Sequence, residues 1–376
     1  MNHDNENEPE KFSEANTNEA KFIFVICQNG AEAATKLELM TANPNLKLAF
    51  SRPGFITFKV DADNPLPERF TLRSTLARTY GWSLGKVTGE NAKELVTEVA
   101  KSPKLKEAKT LHVWQRDPVL PGRNGFEPGV STLAREVGKL FGEVDFVKAN
   151  ETTINVNAKP DEMVFDIVMV EPGEWWYGYH FANTTAGRWP GGAPTFDSNI
   201  ETFSRAYFKL KEALLWSGIR IEKDVLCAEI GSAPGGACQL LLEKGAQVIG
   251  IDPAEMEQEI FDNEKFTHIR RRGSEVKKRD FRNVRWLMAD LNVDPDFTID
   301  LVAQIVAHES VDVTGLILTL KLTDWKMVSS ISGHLAKVKE MGFGVVKARQ
   351  LAYNRQEYCL VAVKDKYTLR KGKKRG

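Results

Sequence analysis

Short apolar runs bounded by glycine, proline or charge recur along most of the chain, and stretches with helical spacing separate them. Lys21–Cys27 reads as a strand, Ala31–Met40 as a helix, and Leu46–Phe50 and Gly54–Val60 as a strand pair about the Pro53-Gly54 turn. These predict a small α+β unit over 21–100. A second unit over 105–195 opens with the strand Thr110–Trp114, continues with a helix over Gly129–Phe141 and adds strands near Thr153–Val156 and Glu162–Val170. Glu174–His180 carries Trp175, Trp176, Tyr177 and Tyr179 and is expected to be a strand that packs half of its aromatics into the core, base stacking being the competing use. Pro190–Pro194 reads as a linker into a third unit, 196–364. There Val225–Ile230, Gln247–Asp252, Trp286–Leu291, Gly315–Lys321 and Tyr358–Val363 read as strands, with helices beginning at Phe203 and Gln239. Strands alternating with helices predict an α/β domain around a parallel sheet.

The run Ala228-Glu229-Ile230-Gly231-Ser232-Ala233-Pro234-Gly235-Gly236-Ala237 joins strand to helix in that domain. Glycines there admit backbone close to a ligand, because a Cβ would collide with it or forbid the positive φ such loops need. Gln247–Asp252 then places a carboxylate at the tip of the second strand, about twenty residues after the first glycine, where a ribose diol is gripped. The loop departs from Gly-x-Gly-x-x-Gly, contains Pro234, and is followed by no lysine that could reach a phosphate. A ligand without phosphate fits it, and S-adenosylmethionine is the candidate. The expected cofactor-binding residues are Gly231, Ser232, Ala233, Pro234, Gly235, Gly236, Asp252 and Asp290. Asp290 and Lys321 each end a strand, at the edge where open α/β sheets hold ligands. Lys209 lies on the helix begun at Phe203, and Glu357 opens the last strand.

In this order, Lys-Asp-Lys-Glu, and with Ser204-Arg205-Ala206-Tyr207-Phe208-Lys209-Leu210 ahead of the Ala233-Pro234-Gly235-Gly236 loop, the chain resembles the FtsJ-type RNA ribose 2′-O-methyltransferases. Within that family it looks most like a type that acts on large-subunit ribosomal RNA and has an extended N-terminal region. Ala348-Arg349-Gln350-Leu351 followed by Arg355-Gln356-Glu357 is similar to the segment leading into that type's C-terminal strand. The resemblance covers Phe203–Val363. It implies a Rossmann-like α/β S-adenosylmethionine-dependent methyltransferase domain, preceded by an α+β THUMP-like RNA-binding region over 105–195. It also implies Lys209, Asp290, Lys321 and Glu357 as the catalytic tetrad and RNA, large-subunit ribosomal RNA above all, as substrate. One departure stands out: that type has an acid shortly before the catalytic Asp, at the adenine amino group, where this chain has Arg272. An arginine accepts no hydrogen bond, so either Glu275 substitutes or the cofactor is held more weakly.

Transfer to a hydroxyl needs oxygen, methyl carbon and sulfur in line, and a base for the hydroxyl proton. Lys321 is the expected base. An ordinary lysine is almost wholly charged near neutrality. Burial, the sulfonium and Lys209 would lower its pKa, while Asp290 and Glu357 would raise it. Lys209 is expected to help hold the ribose or its phosphate.

A chain of 376 residues suggests two or three domains. Its 51 basic and 51 acidic residues conceal a polarity. Residues 1–20, with Asp4, Glu6, Glu8, Glu10, Glu14 and Glu19 against Lys11, read as a disordered acidic tail, and 365–376 as a basic tail. The zero net charge therefore does not exclude an RNA partner. The run Arg270, Arg271, Arg272, Lys277, Lys278, Arg279 and Arg282 is a candidate phosphate track. Cys27, Cys227, Cys238 and Cys359 have no metal-ligand spacing and read as reduced buried thiols of a cytoplasmic protein. No signal peptide, membrane-spanning run or metal site is expected. Two other readings share the fold: an RNA-binding or ribosome-assembly protein with weak or lost turnover, and a 2′-O-methyltransferase of another RNA such as tRNA.

Overall fold

Two sheets organise the computed structural model, which describes residues 21–197 and 199–364; the tails expected at 1–20 and 365–376 lie outside the described residues. The first sheet comprises β1 (Phe22–Ile26), β2 (Leu46–Arg52), β3 (Phe55–Val60), β4 (Thr79–Thr88), β5 (Thr110–Gln115), β6 (Thr153–Ile154), β7 (Met163–Glu171) and β8 (Glu174–Phe181). Their order is β2-β3-β1-β4-β8-β7-β5-β6. Alternation along the strands serves both faces. Ile23 and Val25 of β1 join Leu39 of α1 (Glu32–Ala42), Leu95 of α2 (Ala92–Val99), Leu105 of α3 (Pro103–Glu107) and Phe141 of α4 (Thr132–Gly142) in one core. Phe24 and Ile26 meet Phe55, Trp114 and Val168 on the other face. The short helix α5 (Asp145–Ala149) follows α4.

Residues 21–100 and 105–195, expected as two units, share this sheet. β4 pairs with β8 from Trp82↔Tyr179 to Thr88↔Glu174. Gly81 and Gly85 interrupt the pattern of β4 and read as breakers, yet Gly81 serves the pairing: a Cβ there would stand 2.6 Å from the Tyr179 carbonyl oxygen. The aromatics of β8 are taken up by the core. Trp175, Tyr177 and Tyr179 pack into the helical face, while the Trp176 ring lies 5.3 Å from those of Phe50 and Phe55. The expected linker at Pro190–Pro194 is instead, at Pro190–Gly192, a buried turn. Gly191 (φ 61°) packs on Trp114, and a Cβ on Gly192 (φ 71°) would stand 2.7 Å from the Arg78 carbonyl oxygen. Glycine is required here because two backbones touch.

The second sheet has β9 (Leu226–Ile230), β10 (Gln247–Ile251), β11 (Phe266–Ile269), β12 (Trp286–Asp290), β13 (Gly315–Lys321), β14 (Val345–Arg349) and β15 (Glu357–Val363), in the order β11-β10-β9-β12-β13-β15-β14. The pairs are parallel except those of β15, which runs antiparallel to β13 and β14. Helices α6 (Ala206–Ser217) and α7 (Gly236–Glu243) cover one face and α9 (Pro295–Val306) and α10 (Ile331–Glu340) the other, with the short α8 (Gln258–Phe261) after β10. This is a Rossmann-like α/β domain. Strand order reverses between β9 and β12, which opens a crevice beyond their carboxyl ends. Among the described residues no helix is long and apolar enough to cross a membrane. The four cysteines are free and buried.

Candidate active site

Parallel strands end on one edge of a sheet, so Asp290 closing β12 and Lys321 closing β13 fall side by side. Because β15 is antiparallel, its first residue reaches the same edge, and Glu357 is the register partner of Lys321. Helix α6 brings in Lys209 from the covering layer. The side chains form a closed ring of alternating charge. Lys209 Nζ lies 2.8 Å from Asp290 Oδ2 and 2.8 Å from Glu357 Oε1, and Lys321 Nζ lies 2.9 Å from Asp290 Oδ1 and against Glu357 Oε2. Glu357 is buried, with 5 % of its side chain exposed, and Lys321 retains 19 %.

Burial disfavours charge on Glu357, but the ammonium groups of Lys209 and Lys321 outweigh it and carry the carboxyl down from its ordinary 4.5 to about 2. For Lys321 burial again opposes charge, while the facing Asp290 and Glu357 carboxylates and their hydrogen bonds win, so its pKa lies above the ordinary 10.5. The competition left open by the sequence is decided toward a charged Lys321 in the resting protein. The ring as a whole is neutral.

Beside it, the loop after β9 turns at Gly231 (φ 83°), where a Cβ would stand 2.5 Å from the Asp290 carbonyl oxygen, and at Gly235 (φ 127°). Gly236 starts α7 with its Cα against Ser204, whose carbonyl oxygen would be 2.7 Å from an added Cβ. The Ser204–Leu210 stretch and the glycine loop are thereby locked together. Ser232 is buried, and Ala233-Pro234 is a cis peptide. Asp252, just past β10, accepts the Ala233 N–H at 3.3 Å and the Ala254 N–H at 2.8 Å. The predicted residues Gly231, Ser232, Ala233, Pro234, Gly235, Gly236, Asp252 and Asp290 are thus brought to one crevice. A half-buried carboxylate keeps lone pairs for the hydroxyl donors of a ribose, and the glycines leave backbone open beside it, so the donor set fits S-adenosylmethionine.

Arg272 is exposed, and its N–H donates to Glu275 Oε2 at 3.2 Å. Glu275, the alternative acceptor, is thus engaged by this turn. The basic run does not form one track. Arg270–Arg272 follow β11 at the crevice edge, whereas Arg279 and Arg282 lie beside Leu226 at the opposite end of β9, and Arg270 is paired with Glu255 at 3.1 Å.

Several residues at the site escaped the sequence reading. Glu229 of β9 is buried, accepts a hydrogen bond from Cys238 Sγ at 3.0 Å, and lines a small cavity with Lys209, Asp290 and Ala237. Burial above all, with Asp290 and Asp252 adding to it, pushes its pKa up to about 8. Its signal was an acid inside an apolar strand. Glu212, in the turn of α6 after Lys209, accepts the N–H groups of Ala352 and Tyr353 at 2.9 and 3.0 Å and fixes the segment before β15. Asn354 Nδ2 donates to Glu357 Oε1 at 3.3 Å, and Gln28 Nε2 of the N-terminal half donates to the Asn354 carbonyl at 2.9 Å. Pairs this distant in sequence leave no local pattern.

Residues 202–326 match the family model of the FtsJ-like methyltransferases, so the chain carries an FtsJ-like methyltransferase domain. The ribosomal RNA large subunit methyltransferase M of Shewanella sp. (strain ANA-3) is 23 % identical over 297 residues, which are 77 % of this chain and 71 % of the relative. The protein of the same name from Hahella chejuensis is 21 % identical over 361 residues, 91 % of this chain and 89 % of its own. Among solved structures, the fibrillarin of Aeropyrum pernix in complex with S-adenosyl-L-methionine aligns over 52 % of this chain and 81 % of its own at 15 % identity, with a TM-score of 0.32.

Proposed function

We propose that this protein is an S-adenosylmethionine-dependent RNA methyltransferase that modifies a ribose 2′ hydroxyl, with large-subunit ribosomal RNA as its substrate. The observation that carries the reading is the closed ring of Lys209, Asp290, Lys321 and Glu357 beside a glycine loop and Asp252, in a chain related to proteins named ribosomal RNA large subunit methyltransferase M. Residues 105–195 are read as its THUMP-like RNA-binding region, on their position ahead of the methyltransferase domain and the bond from Tyr353 Oη to the Pro128 carbonyl.

When bound, S-adenosylmethionine supplies an electrophilic methyl on a positively charged sulfur. Asp252 would accept hydrogen bonds from the cofactor's ribose, and the loop over Gly231–Gly236 would hold its amino-acid end. Positive charge entering the crevice would favour the neutral amine of Lys321, its resting proton passing to solvent. Asp290 and Glu357 keep that amine aimed. The cofactor would supply the methyl to the target oxygen, its sulfur keeping the electrons of the broken bond, and Lys321 Nζ would take the hydroxyl proton. Lys209, held by Asp290 and Glu357, fixes the spacing of the two carboxylates.

The test is transfer of labelled methyl to unmodified large-subunit RNA, read as alkali-resistant dinucleotides. Lys321→Ala is expected to lose at least about 100-fold in turnover, the lower range for a general base, while its circular dichroism and cofactor binding persist. Normal turnover in a folded Lys321→Ala protein, or label confined to alkali-labile nucleotides, would sink this assignment.

A further inference from the structure

The ring of Lys209, Asp290, Lys321 and Glu357 is neutral as a unit, each ammonium being matched by two carboxylate contacts. A polyanion brought to it therefore finds no net attraction there. Yet a ribose 2′ hydroxyl is joined through one carbon to the carbon bearing its own 3′ phosphate. Cations for that phosphate must stand on the rim, outside the ring.

Two arginines flank the ring through their positions in the chain. Arg205 precedes Lys209 by one helical turn, and its carbonyl accepts the Lys209 N–H at 3.1 Å. Arg355 precedes Glu357 by two residues, and its N–H donates to Glu357 Oε1 at 3.4 Å. Both converge on the segment between β5 and α4. A Cβ on Gly122 (φ 72°) would stand 2.7 Å from Arg205 Nε and 3.1 Å from an Arg355 terminal nitrogen. Arg355 Nε also donates to the Pro121 carbonyl at 2.8 Å.

The charges of these groups differ in availability. Arg205 is paired with Glu127 at 3.1 Å and donates to the Tyr353 carbonyl at 2.7 Å. Arg355 is exposed and has no carboxylate partner among the described residues; its single side-chain bond is to a carbonyl. Arg123, next to Gly122, is exposed and its side chain has no partner among the described residues. Two exposed arginines without a carboxylate partner among the described residues thus lie on adjoining segments beside a neutral ring, one from each half of the molecule. The planar fork of arginine matches phosphate oxygens.

We propose that Arg123 and Arg355 form a binding site for the backbone phosphates that flank the target nucleotide, with the β5–α4 segment acting as a clamp that the N-terminal sheet presents to the ring. The proposal rests on the RNA 2′-O-methyltransferase reading. Glu127 neutralises Arg205 and limits the site to the other two arginines.

The experiment compares Arg123→Gln, Arg355→Gln and their combination with the unaltered full chain. Binding of a single-stranded oligoribonucleotide is measured across potassium chloride concentrations, and methyl transfer is measured on in vitro transcribed large-subunit RNA. Each lost phosphate contact lowers the slope of log K against log salt by about 0.7 for a single strand, so the double variant is expected to lose about 1.4. KM for RNA rises several-fold, more than kcat falls, and Arg123→Lys keeps the slope because it keeps the charge. Arg355→Gln also loosens the hold on Pro121, but Arg123 is exposed and has no hydrogen-bond or ion-pair partner among the described residues, so its variant tests the site without that complication. Unchanged slopes and KM in the Arg123 variant overturn the proposal, as does a fall in kcat and thermal stability with the slope intact. If the unaltered protein transfers no methyl to RNA while the slopes still fall, the phosphate site stands and the methyltransferase reading fails. Normal transfer with unaffected variants gives the reverse.

Discussion

Lys321 faces Asp290 and Glu357 at hydrogen-bonding distance, and its pKa lies above 10.5 despite its partial burial. As the proposed base it must be neutral to act, so the active fraction grows about tenfold per pH unit throughout the neutral range. The pH profile of kcat/KM, which reports groups of the free enzyme, is therefore expected to climb with a slope near one and without a plateau below about pH 10. Glu357→Gln removes one of the two charges that hold the proton on Lys321, so its profile should bend at lower pH. An acidic shift of that bend, even at reduced turnover, supports the electrostatic assignment, and an unshifted bend contradicts it. A second expectation concerns Arg272, which stands where the related type has an acid. Arg272→Glu should tighten S-adenosylmethionine by about five- to tenfold, about 1 to 1.4 kcal/mol for one added hydrogen bond; isothermal titration calorimetry with no gain would place the adenine amino group elsewhere. At this scale the charges that meet in the ring could be picked out because Asp290 and Lys321 end apolar runs and Glu357 opens one. Glu229 could not, because it sits inside one.

Among the elements, β9, β10, β12, β13 and β15 of the second sheet could be read from their apolar runs and terminal charges, whereas β11 and β14 and the order β11-β10-β9-β12-β13-β15-β14 come from the structure. Nothing local announces that β15 runs antiparallel, yet that direction brings Glu357 to Lys321. β4 escaped because Gly81 and Gly85 break its alternation, and the Pro190–Gly192 turn because proline and glycine mark exposed linkers as readily as close backbone contacts. Burial inside β9 has a further consequence. Glu229 holds its proton up to about pH 8 in the folded chain, against an ordinary 4.5. The native state binds that proton over a range in which the unfolded chain releases it. Stability from this group is full below pH 4.5 and is lost as pH rises through about 8. Glu229→Gln cannot ionise, so its melting temperature should match or trail the unaltered protein near pH 4.5 and exceed it at pH 9. Each kcal/mol recovered amounts to about 2–4 °C for a domain of this size. A parallel fall of both proteins between these pH values would show that Glu229 ionises normally.

On the scale of the molecule, the two sheets meet through apolar contacts, with Ala34 and Leu76 of the N-terminal half buried in the core of the second sheet, and through polar ones. A terminal nitrogen of Arg349 donates to the carbonyls of Arg78 and Gly192 at 2.8 and 3.2 Å, the Gln350 N–H to that of Thr75 at 2.7 Å, and Tyr353 Oη to that of Pro128 at 3.1 Å. These bonds converge on the segment before β15, and one route ends in the ring itself: Gln28 Nε2 to the Asn354 carbonyl, Asn354 Nδ2 to Glu357 Oε1. No sequence pattern links residue 28 to residue 357, since each partner is an unremarkable amide until the sheets are docked. Under the proposed function, this route would let the N-terminal half help position Glu357. Gln28→Ala leaves the Asn354 carbonyl without its buried donor and frees the segment that orients Glu357. A lost hydrogen bond to a buried group costs about 1–3 kcal/mol. If part of that cost falls on the geometry of the ring, kcat should drop by about fivefold or more, while the oligoribonucleotide and S-adenosylmethionine bind as before. Single-turnover methyl transfer at saturating RNA and cofactor reads this directly. A loss confined to RNA affinity would instead make Gln28 part of the binding surface, and unchanged kinetics would show that the position of Glu357 does not depend on Gln28.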